Sequence, residues 1–127
     1  MRTAPMKVIY LAGPFRGPDH WAIWQNINRA AALALEVWKL GAACVCPHMN
    51  SFCFQGAAPD HVWLDGYLAI LGKCDGILMT PDWQRSSGAT AELRYAESHG
   101  LPVFLTLEDL AAWLSAQDEI APIASHV

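Results

Sequence analysis

The chain has 127 residues, of which 54% are hydrophobic and 16% are charged, and its formal charge at pH 7 is -4. This length suits a single domain over residues 1–127, with enough apolar side chains for a packed core and little disorder. The acidic charge argues against a nucleic-acid partner, because such partners select basic surfaces. The apolar runs are too short to span a membrane and no signal-peptide pattern is present, so we expect a cytoplasmic protein.

Strand and helix patterns alternate along the whole chain. In order, they predict a strand at 7–12, a helix at 20–40, a strand at 42–46, a helix at 60–73, a strand at 74–80, a helix at 88–99, a strand at 101–105 and a helix at 107–116. Asp19 and Asp60 are the predicted N-caps of the first two helices, and Gly41 ends the first one.

This alternation predicts a doubly wound α/β fold of the Rossmann or flavodoxin kind, a mostly parallel sheet flanked by helices. In such sheets ligands bind at the carboxyl ends of the strands. Three predicted loops lie at that edge, namely residues 13–18, 47–60 and 81–87. A functional site is therefore expected where these loops meet.

The third loop carries residues that suit an anion. Ser86, Ser87 and Gly88 lie where a strand passes into a helix, and the free amides of a helix N-terminus attract negative charge. A plain helix cap by Ser87 explains the same residues. Glu92 lies about one turn into the helix, so its carboxylate can face the same pocket and attack the anomeric carbon of a sugar. A solvent-facing Glu92 paired with a basic neighbour is also compatible with the spacing.

Three further polar residues are candidates for the same site. Tyr10 ends the first strand and Arg16 follows it, and a guanidinium binds a phosphate or carboxylate with two hydrogen bonds. Asp65 lies among apolar residues of the second helix, and partial burial there would raise its pKa toward use as a general acid. A core tyrosine, a solvated arginine and a surface carboxylate are the plain alternatives.

The four cysteines allow a rival interpretation. Cys44, Cys46 and His48 alternate along a strand and so share a face, with Cys53 close behind, which is compatible with a zinc site. The paired two-residue spacings of zinc sites are missing, however. Small buried thiols explain these cysteines better, and no metal is expected.

Six tryptophans are too many for a chain of this length to bury comfortably. Large amphipathic rings are favoured in pockets and at subunit interfaces, so we expect some of them in one of these places. They are Trp21, Trp24, Trp38, Trp63, Trp83 and Trp113.

Several blocks of this sequence together carry a resemblance to a known family. The blocks are residues 9–17, 64–70, 74–77, 83–92, 95–96 and 102–105. They resemble the nucleoside 2-deoxyribosyltransferase family, with its deoxynucleotide N-hydrolase relatives and a group of uncharacterised phage and bacterial proteins. The likeness covers residues 7–105, and Ser-x-Gly-x-x-x-Glu, starting at Ser86, is its most specific part.

The resemblance implies cleavage or exchange of the N-glycosidic bond of a nucleoside or nucleotide. Glu92 matches the nucleophile that attacks C1′, and Tyr10 matches the tyrosine that orients it. Asp65 matches the carboxylate that protonates the departing base or contacts the sugar. Ser86 and Arg16 match phosphate contacts of the hydrolase branch, which favours a nucleoside 5′-monophosphate.

The other predicted substrate contacts surround these residues. They are Gly13, Phe15, His48, Trp83 and Gly88, with Trp21 and Trp24 as further candidates for the base pocket. Pro14 departs from the hydrolase branch, which has another phosphate-binding serine there. The resemblance implies a pocket completed by a neighbouring subunit, hence a homodimer or homotetramer, and no organic cofactor. A nucleotide-binding or sensing module without turnover is the alternative function.

Overall fold

The computed structural model describes residues 5–120, the last two by their backbone alone. Its strands are β1 (Val8–Ala12), β2 (Ala43–Val45), β3 (Gly76–Met79) and β4 (Val103–Phe104). Its α-helices are α1 (His20–Lys39), α2 (Pro47–Asn50), α3 (Asp60–Leu71), α4 (Ser87–Ser98) and α5 (Leu107–Ile120). The predicted strands and helices are confirmed with small shifts of their ends, and the short α2 is an addition within the second loop.

The sheet has the order β2-β1-β3-β4, and all of its strands are parallel. The central strand β1 pairs with both neighbours, so that Tyr10 lies beside Val45 of β2 and Ile77 of β3. This arrangement confirms the predicted single-domain α/β fold. It also confirms that the loops after β1, β2 and β3 meet at the carboxyl edge of the sheet.

Helices cover both faces of the sheet, which explains why β1 and β3 are almost wholly apolar. Alternate residues of a strand point to opposite faces. Ile9 and Leu11 of β1 accordingly pack with α1 and α5, whereas Tyr10 and Ala12 pack with α3 and α4. Tyr10 therefore faces the helix layer that contains Glu92.

Local side chains explain where the helices begin and end, and one of the two predicted N-caps is wrong. Asp19 caps α1 as predicted, since its carboxylate accepts a hydrogen bond from the Ala22 amide at 2.8 Å. Gly41 ends this helix at a φ of 94°, a conformation that favours glycine. The prediction of Asp60 as a cap is wrong, because Pro59 occupies the cap position of α3 without a side-chain bond. Within residues 5–120, no helix combines the length and apolarity needed to cross a bilayer.

Candidate active site at the carboxyl edge of the sheet

A pair formed by the buried Tyr10 and the half-buried Glu92 lies at the centre of the candidate site. Tyr10 is completely buried in β1, and its hydroxyl donates a hydrogen bond to Oε2 of Glu92 on α4. These residues are 82 positions apart in the chain. The fold thus brings together the predicted nucleophile and the tyrosine predicted to orient it, and the alternative of a solvent-facing Glu92 is wrong.

Glu92 takes a position on α4 where a soluble helix usually has an apolar residue. The core-facing side of α4 carries Ala89, Leu93 and Ala96, which recur at helical spacing. Glu92 lies on this stripe, between the first two. A carboxyl group at such a position loses much of its contact with water, so its burial needs a polar partner. Tyr10 is that partner.

Burial shifts the ionisation of both members of the pair. Loss of hydration raises the pKa of Glu92 to about 7, an effect that the Tyr10 hydrogen bond partly opposes. Burial, and then the nearby charge of Glu92, raise the pKa of Tyr10 far above its ordinary value. Tyr10 therefore remains a neutral donor. Glu92 titrates near neutral pH, which is where a catalytic carboxyl is useful.

Tyr67 is a third member of this cluster, and the sequence did not single it out as functional. Its ring packs edge-on against the ring of Tyr10, with centroids 6.5 Å apart. Its hydroxyl shares a hydrogen bond with Ser51 Oγ and lies 3.3 Å from the carbonyl oxygen of Pro47. A tyrosine on the apolar side of a helix needs a polar partner for its hydroxyl, which was the available signal. Tyr67 thus links the pair to the loop after β2.

Asp65 does not join this cluster. It is exposed on α3, so the prediction of a partly buried carboxyl at this position is wrong. Asp65 and Tyr67 are two residues apart, which corresponds to about 200° around a helix. Because Tyr67 faces Tyr10, Asp65 lies on nearly the opposite side of α3.

The start of α4 has the geometry of a capped helix. Ser86, rather than Ser87, occupies the cap position, and its Oγ accepts a hydrogen bond from the Ala89 amide at 3.0 Å. Ser87 and Gly88 are the first helical residues, and such positions have no acceptor within their own helix. The first turn of α4 therefore offers amides and the positive end of the helix dipole, with Glu92 one turn further on.

Arg16 lies in the loop after β1 and forms an ion pair with Asp60, the first residue of α3. Its Nη2 is 2.6 Å from Oδ2 of Asp60, an ion pair in which both side chains are largely exposed. Asp60 also accepts a hydrogen bond from Gln55 Nε2 at 3.3 Å. A phosphate could reach Arg16 by displacing this carboxylate. Arg16, the predicted phosphate contact, is thus exposed at the carboxyl edge of the sheet. The Asp60 carboxylate would compete with a phosphate for its guanidinium.

The loop after β1 is held in place by buried polar residues. Asn26 of α1 donates from Nδ2 to the carbonyl oxygens of Phe15 and Arg16, each at 3.1 Å. His48 is buried, and its Nε2 lies 2.8 Å from the carbonyl oxygen of Pro14. Since burial lowers the pKa of His48, its ring is neutral and donates to that carbonyl. His48 and Phe15 have ring centroids 6.0 Å apart, so both predicted contacts shape this loop.

Gly13 is required by a close approach between two loops. A Cβ at this position would lie 2.4 Å from the Thr80 side chain, far inside contact distance. Thr80 follows β3 and donates a hydrogen bond to Asp82 at 2.9 Å. Gly13 therefore lets the loop after β1 approach the segment that leads to α4.

Trp83 begins the short turn Trp83–Arg85 and packs half-buried against the core beneath α4. Trp21 and Trp24, by contrast, belong to α1, which covers the other face of the sheet, and they are 65% and 53% exposed. An open cleft of about 390 Å³ also lies on the α1 side, between Arg29 and Asp82. It shares no residue with the pair at the centre of the candidate site. Trp83 is thus the tryptophan best placed beside the candidate site.

The cysteines do not assemble a metal centre in the described residues. No group of three or more His, Cys, Asp or Glu side chains within residues 5–120 has an arrangement that could hold a metal ion. Burial raises the pKa of Cys44 to about 12 and also raises that of Cys46, so both remain thiols. Cys53 is exposed, which makes the prediction of a buried thiol wrong at that position.

A comparison with known protein families matches the same stretch of the chain as the sequence blocks described above. Residues 7–105 match a family described as a domain of unknown function, DUF4406. A search of curated proteins finds no match to the chain. The matched region contains the pair at the centre of the site, Tyr67 and the loops that surround them. Since it spans most of the sequence, the chain belongs to the DUF4406 family.

Proposed function

We propose that the protein cleaves or exchanges the N-glycosidic bond of a nucleoside 5′-monophosphate or nucleoside, through a covalent glycosyl ester on Glu92. The observation that carries this proposal is the partly buried hydrogen bond between Tyr10 and Glu92 at the carboxyl edge of the sheet. The resemblance to nucleoside 2-deoxyribosyltransferases supports the same assignment for both residues.

The proposed reaction has two steps. In the first, an Oε atom of Glu92 forms a bond to C1′ of the sugar while the bond from C1′ to the base nitrogen breaks. The base leaves with the electron pair and takes up a proton from solvent, because Asp65, to which the resemblance assigns this step, is exposed on nearly the opposite side of α3 from the pair. In the second step water, or another base, attacks C1′, loses a proton to solvent and releases the Glu92 carboxylate.

The environment of Glu92 suits both steps. At neutral pH a carboxyl with a pKa of about 7 exists in both forms, so a sizeable fraction is the carboxylate needed for attack. The Tyr10 hydroxyl stabilises that carboxylate and fixes its orientation. A half-buried carboxylate is less hydrated than one on the surface, which favours attack on an electron-poor carbon.

A phosphate on the substrate would find two suitable groups at the same edge. The first turn of α4, with Ser87 and Gly88, offers amides to an anion. Arg16 offers a guanidinium once Asp60 is displaced. Ser86 is already the helix cap, so its hydroxyl hydrogen is the part left for a phosphate oxygen.

The experiment is a panel of ribo- and deoxyribonucleosides and their 5′-monophosphates, incubated with the purified protein and analysed for free base by chromatography. We expect base release from at least one compound, faster with the monophosphate than with its nucleoside. Binding of a nucleotide, without base release from any member of the panel, would overturn the enzymatic proposal. That outcome favours the sensing module instead.

A further inference from the structure

Helix α1 carries a stripe of mostly apolar residues outside the side that packs on the sheet. We call α1 stripe the six residues Trp21, Trp24, Asn28, Ala31, Leu35 and Trp38. The four large apolar members are strongly exposed, at 65% for Trp21, 53% for Trp24, 58% for Leu35 and 52% for Trp38. The core-facing side of α1 is a different set, centred on Ala30, Ala34 and Val37. The helix therefore has two sides with apolar residues, and one of them is left uncovered by residues 5–120.

The spacing of the α1 stripe indicates what kind of element covers it. Its members follow one another at intervals of 3, 4, 3, 4 and 3 residues. This is the heptad spacing of a helix that packs along another helix, with alternate members at the a and d positions. The stripe runs over the 18 residues 21–38, or about 25 Å of helix. A second helix is thus a better fit than a globular or extended partner.

We propose that the α1 stripe pairs with the same stripe of a second copy of this chain, antiparallel and around a twofold axis. The stripe has large residues at both ends and small ones in its middle, so it is complementary to itself when reversed. Trp21 then meets the partner's Trp38, and Trp24 meets the partner's Leu35. Asn28 and Ala31 lie next to the axis, where small side chains let the helices approach. A twofold interface requires this kind of self-complementarity.

The exposed area and the charges of α1 agree with a second copy. Aromatic side chains offer about 150–250 Å² each, so the exposed parts of the α1 stripe supply roughly 400–500 Å² per chain. That is more than half of the area of about 800 Å² that each partner contributes to a standard interface. A membrane-surface helix would be rich in Lys and Arg. α1 has Arg29 and Lys39, and both are paired with acidic residues.

Asn28 gives the pairing its register. Its Nδ2 donates to the carbonyl oxygen of Trp24 at 2.9 Å, which leaves the rest of the amide for the interface. A single polar residue at an a position of a helical pair selects one register and orientation, because other alignments bury it among apolar side chains. This inference does not depend on the proposed function, since it concerns the helix layer on the other face of the sheet.

The first test is sedimentation velocity of the full chain at micromolar concentration. We expect the wild-type protein to sediment as a dimer, and Leu35→Glu to sediment as a monomer with an unchanged circular dichroism spectrum. The dissociation constant should rise by on the order of 100-fold or more, because the variant places two carboxylates in the interface. Leu64→Glu on α3 is the matched control, since Leu64 is similarly exposed at 52%, and it should remain a dimer. A monomeric wild type, or a dimeric Leu35→Glu variant, would overturn the proposal.

The second test is disulfide cross-linking, which reports the orientation of the helices. In a Cys53→Ser background, the double variant Trp24→Cys/Leu35→Cys should form a linked dimer on oxidation. The two positions are about 16 Å apart along one helix, so they cannot bond within a chain. Each single variant should stay largely unlinked, because the two copies of one position lie far from the twofold axis. Efficient linking of the single variants would indicate a parallel pair and contradict the antiparallel one.

Discussion

The hydroxyl of Tyr10 donates a hydrogen bond to the carboxylate of Glu92, and so ties the central strand β1 to the inner side of α4. Tyr10 has no exposed surface, and Glu92 is half-buried on the side of α4 that also carries Ala89 and Ala96. A core of this size gains nothing from a carboxyl group, because burial of the charge is costly. The pair is therefore the feature on which the proposed catalytic role rests.

The first prediction concerns the pH dependence of catalysis. If the carboxylate of Glu92 is the nucleophile, kcat/KM should rise with pH and level off above about 7, the pKa of this group. Tyr10→Phe removes the hydrogen bond that lowers this pKa. A hydrogen bond to a charged group contributes about 1.5–3 kcal/mol, so the acid limb should move up by about one to two pH units.

Rates of base release from about pH 5 to pH 9 check this prediction. Tyr95→Phe is the control, because the Tyr95 ring stacks on His99 of the same helix region, whereas Glu92 accepts its hydrogen bond from Tyr10. Its acid limb should coincide with that of the wild type. An acid limb that stays in place in Tyr10→Phe contradicts the assigned role of the tyrosine.

The second prediction links the same carboxyl to stability. The pKa of Glu92 is about 7 in the folded protein and 4.5 in the reference state, so the folded state holds its proton more tightly. The penalty for a charged Glu92 is therefore absent below about pH 4.5, grows as the pH rises, and is complete above about pH 7. Glu92→Gln, which keeps an acceptor for Tyr10, should raise the free energy of unfolding at pH 8 by about 1–3 kcal/mol.

Urea unfolding at pH 8 and at pH 5 provides the measurement. The difference between Glu92→Gln and wild type should shrink strongly at the lower pH. Glu97→Gln changes an exposed residue of the same helix, so it should alter stability little at either pH. Equal stability of Glu92→Gln and wild type at both pH values would show that the surroundings of Glu92 do not penalise its charged form.

The third prediction concerns the phosphate of the proposed substrate. Arg16 and Asp60 form an exposed ion pair, and such pairs add less than about 1 kcal/mol to stability. Asp60→Asn should therefore fold normally and release Arg16 for the phosphate. Its KM should fall for a nucleoside 5′-monophosphate and stay unchanged for the nucleoside, whereas Arg16→Ala should raise the first KM by about tenfold. Parallel changes of KM for both substrates would place the phosphate elsewhere.

The fourth prediction tests the close approach of two loops. Gly13→Ala should lower stability by about 1–3 kcal/mol, because its Cβ would overlap the Thr80 side chain. Thr80→Ala in the same chain should recover part of this loss. Gly66→Ala is the control, since nothing lies within 4 Å of a Cβ there and alanine favours the helix. Thermal unfolding of Gly13→Ala, Thr80→Ala, the double variant and Gly66→Ala gives the coupling, and purely additive effects would contradict the overlap.

Much of the fold could be predicted from periodicity alone. The alternation of strands and helices is strong in this chain, so it determined the parallel sheet and the edge at which the loops meet. The N-cap at Asp19 was predictable, because a cap depends on neighbours within three residues. The joining of Tyr10 to Glu92 was implied by the family resemblance and not by the spacing of either residue.

The positions of other site residues depend on which side of a helix faces the core. The sequence of α3 does not show which side that is. Leu64, with 52% exposure, and Ile70, with 37%, point outward although they are apolar, so the hydrophobic pattern does not mark the buried side. This is why Asp65 was expected to be partly buried and Tyr67 was passed over. Arg16 and Asp60 are 44 residues apart in the chain, and a local sequence pattern does not predict a contact between such distant residues.

The measurement that tests the central claim most directly is the rate of base release by Glu92→Gln, compared with the wild type and with Glu97→Gln on the best substrate of the panel. Loss of the nucleophile should reduce kcat by on the order of 10³-fold or more, with the substrate still bound, while Glu97→Gln keeps wild-type activity. Base release by Glu92→Gln at a rate close to that of the wild type would contradict the covalent mechanism.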